Sequence, residues 1–113
     1  MKTFEFAVDL TKLKLTEADR ELFQKDNQRT VFENVLNQAL QMKSPNGLPT
    51  KEGRILSRIC DKLDRAEEGK LELEEAEFDL IEDAFFNDKA QFQPAQYRLI
   101  SQYQLAIEKA KGK

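Results

Sequence analysis

Histidine and tryptophan are absent from this 113-residue chain, cysteine occurs once, and there are only four glycines and three prolines. Without histidine there is no His-activated nucleophile, no imidazole acid or base, and no His-containing zinc or iron site. One cysteine, Cys60, allows neither an internal disulfide nor a thiolate cage, and its use fits a reducing compartment. No apolar stretch approaches the length needed to span a bilayer. The opening Met1-Lys2-Thr3-Phe4-Glu5-Phe6 alternates apolar with polar residues, unlike the continuous apolar run of a signal peptide. The expected location is therefore cytoplasmic. The lack of Trp also argues against the aromatic-lined cleft in which paired carboxylates hydrolyse sugars. No enzymatic activity and no cofactor are expected.

What remains is charge and periodic apolar residues. Hydrophobic residues make up 40% of the chain and charged residues 35%, with eight Phe. That is enough for a modest core in one domain. Residues 1–15 are expected to form a β element, 16–108 a helical region and 109–113 a basic tail.

Thr3 to Leu10 alternates strictly, with Phe4, Phe6, Val8 and Leu10 on one side, which predicts a half-buried strand. Lys12-Leu13-Lys14-Leu15 alternates again, so a hairpin is an option. Thr16 begins a short or partly irregular helix. Thr30 and Glu33 have capping-box spacing, and Val31, Phe32, Val35, Leu36, Ala39 and Leu40 predict a helix to about Lys43. Ser44 to Pro49 is a loop. Thr50 caps a helix carrying Ile55, Leu56, Ile59, Cys60 and Leu63, ending near Glu67, with Gly69 as its left-handed stop. Cys60 shares that inward spacing, which makes it a core residue rather than a nucleophile. Leu71 and Leu73 bracket Glu72 in a short extended piece. A helix follows from about Glu74 to Phe86, and Pro94 opens a last one whose stripe is Leu99, Ile100, Tyr103, Ala106 and Ile107. The expected fold is mainly α (α+β): an N-terminal strand or β-hairpin packed on a small bundle of three long helices and one short helix.

Charge is unevenly placed. Between Asp61 and Asp83 lie eleven carboxylates and three cations, a net −8 in a chain of net −3, which leaves the remainder at +5. Glu72, Glu75, Asp79, Glu82 and Asp83 form the candidate partner-binding face, suited to a basic surface of another protein. Lys51, Arg54, Arg58, Lys62 and Arg65 recur at spacings of three and four, a basic stripe that could serve a nucleic-acid-associated regulator. The net negative charge of the chain argues against that use. The stripe could equally pair with the acidic helix, within the chain or between copies, so a homo-oligomer is an option. No membrane partner is expected.

Asp64 to Glu75 has the length of an EF-hand loop, with Asp64, Glu68 and Glu75 at ligand positions and Gly69 at the sharp turn. Ala66 falls at the third ligand position and cannot coordinate, and there is no second loop. A degenerate calcium module is thus an alternative, and no metal site is the expectation. Phe86, Phe92 and Tyr97 either form an exposed aromatic patch or close the core.

The order of these elements, from Gln38-Ala39-Leu40 through Leu71-Glu72-Leu73 and Leu80-Ile81 to the Pro94–Glu108 segment, resembles small accessory proteins encoded by tailed phages and prophages. The resemblance implies a small protein that binds a phage or host component. It assigns no catalytic residue.

Overall fold

The computed structural model describes residues 1–7, 17, 28–66, 69–87, 89 and 91–112. The expected strand Lys12–Leu15 and the short helix after Thr16 lie outside these residues, apart from Glu17. The described chain runs β1 (Lys2–Glu5), α1 (Gln28–Lys43), α2 (Thr50–Arg65), β2 (Lys70–Leu73), α3 (Glu75–Phe86), a single 3-10 turn (Pro94–Gln96) and α4 (Tyr97–Lys111). It is the mainly helical α+β architecture that the periodicities dictate, with a two-stranded sheet packed on the helices.

The helices bury the centres of the stripes that their spacing predicts, while Val31, Leu56, Cys60, Leu99 and Ala106 at the edges are only partly buried. Phe32, Val35, Leu36, Ala39 and Leu40 of α1 face inward, as do Ile55, Ile59 and Leu63 of α2 and Ile100, Tyr103 and Ile107 of α4. Two caps differ from expectation. Helix α1 already includes Gln28, so Thr30 lies inside its first turn. Thr50 is the first residue of α2, and Pro49 occupies the N-cap. Pro49 has a fixed φ suited to a helix entrance, and its carbonyl accepts the Gly53 N–H at 2.9 Å.

The sheet joins the two ends of the sequence pattern. β1 runs antiparallel to β2, with Phe4 opposite Leu71 and Lys2 opposite Leu73. The alternation places Phe4, Leu71 and Leu73 in the core and leaves Lys70 and Glu72 exposed. Lys2 also lies over the ring of Phe78, 5.2 Å from its centroid, a cation–π contact that ties the strand to α3.

Gly69 has a different role from the expected helix stop. Helix α2 ends at Arg65, and Ala66 is already extended. The final carbonyls are taken by Arg29, whose Nη1 donates to Asp64 O at 2.8 Å and to Ala66 O at 3.3 Å. A cation there also suits the helix dipole. Gly69 instead sits at the entrance of β2 with φ +73°, and its carbonyl accepts the N–H groups of Phe6 and Ala7.

The core centres on aromatic rings. Phe32 contacts Phe4, Phe6, Phe85 and Tyr103, with centroids 5.1 to 6.1 Å apart. Tyr103 is fully buried and its hydroxyl has no hydrogen-bond partner among the described residues. Burial pushes the phenol well above its ordinary pKa. An unsatisfied buried hydroxyl is a net cost, so Tyr103→Phe is expected to stabilise the protein by about 1 kcal/mol. A circular-dichroism melt checks this, with a higher Tm as the expected result.

Candidate interaction surface

The acidic helix α3 begins with a carboxylate turned inward. Glu74 is the N-cap, and its backbone N–H donates at 2.8 Å to Glu77 Oε1. The same oxygen accepts Lys62 Nζ at 2.5 Å, and Arg58 Nε lies 3.8 Å from Glu77 Oε2. Glu77 is 1% exposed, the one buried charged residue among those described. Burial works to raise its pKa. The Lys62 hydrogen bond, the Glu74 N–H and the Lys62 and Arg58 charges outweigh that, and its carboxyl is held below the usual range.

Glu77 is not among the site residues that the sequence pattern selects. The signal was present: it lies three and four residues before Leu80 and Ile81, on the apolar stripe, and three after Glu74, at capping-box spacing.

This buried carboxylate divides the basic stripe. Arg58 and Lys62 turn toward it, and Lys62 also donates to Glu72 O at 2.9 Å. Arg65 bonds back to Asp61 O at 3.2 Å. Lys51 and Arg54 remain exposed, with no acidic partner among the described residues.

The acidic row divides in the same way. Asp83 is bound by Lys43 from the end of α1, which also lies 3.8 Å from Glu52. The hydrogen bond to Asp83 is the main reason that the Lys43 pKa is raised. Glu82 receives Lys111 Nζ from α4 at 2.9 Å. Glu72, Glu74, Glu75 and Asp79 stay exposed, with no cation paired to them among the described residues. Among the described residues the Glu72 carboxylate accepts only the Thr3 hydroxyl, at 2.9 Å. The open acidic surface is therefore the β2–α3 junction and the first turns of α3, rather than the whole row to Asp83.

The residues of the EF-hand-like spacing are spread over three elements. Asp64 is exposed in the last turn of α2, and Glu75 is the first residue of α3. Between them β2 pairs Leu71 with Phe4. Glu68 lies outside the described residues. Among the described residues no group of three His, Cys, Asp or Glu side chains could hold a metal ion.

Comparison with family models, with curated proteins and with solved structures finds no match. The surface must be read from its own chemistry.

Cys60 is half-buried beside Glu33. Burial first, and then the hydrogen bond with Glu33, push its pKa up to about 12, so the thiol stays protonated and poorly nucleophilic. The aromatic residues do not form one patch. Phe92 is buried, stacked on Phe85 with Tyr97 edge-on to it, whereas Phe86 and Tyr97 are each somewhat under half exposed. No helix among the described residues is long and apolar enough to cross a membrane.

Proposed function

We propose that this protein is a non-enzymatic interaction module that binds a basic surface through Glu72, Glu74, Glu75 and Asp79. The observation that carries the reading is the sorting of the carboxylates. Glu77, Glu82 and Asp83 are matched by lysines of the same chain, and these four are left outward and, among the described residues, unmatched. They stand on a strand and on the first turns of a helix that Glu77 pins to α2. Their positions are thus fixed before any partner arrives, which lowers the ordering cost of binding.

Binding would be stoichiometric and guided by charge, with a fast, salt-sensitive on-rate. A small phage-type accessory protein that captures a phage or host component would work in this way. The split of the basic stripe weighs against the nucleic-acid alternative, because Arg58 and Lys62 are drawn toward Glu77. That leaves Lys51, Arg54 and Arg65 without a carboxylate partner among the described residues, and three cations give modest counterion release.

An oligo-lysine peptide is a sufficient probe. Amide NMR is expected to show shifts from residue 72 to residue 79 that fade as salt rises. Joint Glu75→Lys and Asp79→Lys substitution is expected to weaken binding about tenfold or more while leaving stability within about 0.5 kcal/mol. Unchanged affinity in the folded double variant would overturn the reading.

A further inference from the structure

The first half of α2 borders an open groove of about 700 Å³. Lys51, Arg54 and Arg58 line it, the buried Ile55 lies at its floor, and Ala76 is its wall on α3. Among the described residues, its lining holds three cations and no carboxylate.

Two carboxylates stand close enough in sequence to neutralise these cations, and both are drawn elsewhere. Glu52, next to Lys51, lies 3.8 Å from Lys43 of α1. Glu77, next to Ala76, is buried and held by Lys62 at 2.5 Å. Arg58 lies 3.8 Å from Glu77, yet its side chain is more than half exposed. Lys51 and Arg54 have no carboxylate partner among the described residues. The groove is a cationic wall over an apolar floor, and its complement is an anionic occupant with an apolar edge.

The layout of the cations selects among anions. They follow one another at three and four residues, so they stand about 4.5 and 6 Å apart along the axis of α2. Such a row does not converge on a point, as capture of one small anion requires. A phosphate backbone gains little from three cations on a chain of net charge −3. Carboxylates at i, i+3 and i+7 of a second helix have the same rise as the row, and a small apolar residue between them covers Ile55 and Ala76.

We propose that this groove docks an acidic amphipathic helix of a partner protein. Its carboxylates meet Lys51, Arg54 and Arg58, and its apolar edge lies over Ile55 and Ala76. The site is independent of the acidic face and gives the protein a second contact, opposite in sign.

Amide NMR with a helical peptide carrying glutamates at spacings of three and four among alanines tests it. Shifts are expected from residue 51 to residue 58, fading as salt rises. Arg54→Glu and Lys51→Glu are each expected to raise the peptide Kd about tenfold or more. Lys109→Glu, a reversal of an exposed cation on α4, is expected to leave it within about twofold, because a distant charge is screened. Melts confirm that each variant is folded. Absence of binding, shifts that spare residues 51 to 58, or equal weakening by the α2 and α4 reversals would each overturn the docking site. An oligonucleotide that binds these residues more tightly than the peptide would also overturn it, since the groove would then serve phosphate backbones. Oligo-lysine reads the acidic face separately, so either reading can fail alone.

Discussion

Glu77→Ala is expected to lower the unfolding free energy by about 2–3 kcal/mol, read as a Tm roughly 10 °C lower. Two losses combine. The Glu74 N–H loses its acceptor at the start of α3, and caps of this kind contribute about 1 kcal/mol. Lys62 and Arg58 lose their shared carboxylate. A fully buried pair broken in this way costs about 3–5 kcal/mol. Here the loss is smaller, because Lys62 keeps its bond to Glu72 O and Arg58 is more than half exposed, so both can rehydrate.

The same residue gives the protein an acid-sensitive step. The folded-state pKa of Glu77 is depressed, so its contribution is present above the unfolded value of about 4.3 and is lost as pH falls through the folded value. Denaturant melts below about pH 4.5 are expected to show this as falling stability. Glu77→Gln keeps an acceptor for the Glu74 N–H and removes the charge, so its acid limb should be shallower. An acid limb of wild-type steepness in Glu77→Gln would mean that other carboxylates govern it.

Gly69→Ala is the second large effect, with an expected loss of about 2–3 kcal/mol. A β-carbon at Gly69 would stand 2.5 Å from the Ala7 Cβ, and the backbone there has φ +73°. The two costs can be separated. Ala7→Gly in the same chain removes the collision and leaves the left-handed penalty of about 1–2 kcal/mol. Urea melts of the single and double variants read the difference. If the double variant is no more stable than Gly69→Ala alone, the Ala7 contact is not the cause.

Much of this fold is legible in the sequence, for a physical reason. Helices α1 to α4 bury apolar pairs spaced every three or four residues, and that information is local. The partner of β1 is not local. Phe4 and Leu71 belong to segments that each alternate, and nothing in either four-residue stretch specifies a mate 67 positions away. The nearer alternating segment, Lys12–Leu15, is the natural guess from the sequence. Gly69 shows the same limit. Its left-handed backbone follows from its position before an extended stretch, but the reason for it is Ala7, far away in the chain.

The candidate surface is legible in the same uneven way. Helical spacing places Glu75, Asp79, Glu82 and Asp83 on one side of α3. Spacing within α3 says nothing of Lys43 and Lys111, which arrive from the ends of α1 and α4 and cover two of the four. Charge composition measures how many carboxylates a segment holds. Only packing shows which of them have been matched.

The β1–β2 pairing also bears on how the chain is born. Lys2 to Glu5 leave the ribosome well before their mates, Lys70 to Leu73, are made. At about 5–20 residues per second the interval is on the order of several seconds. Through that interval Phe4 and Phe6 lack the strand that covers them, while α1 and α2 can already coil. The sheet can close only after α1 and α2 have been made, and until then the nascent chain presents Phe4 and Phe6 to its neighbours.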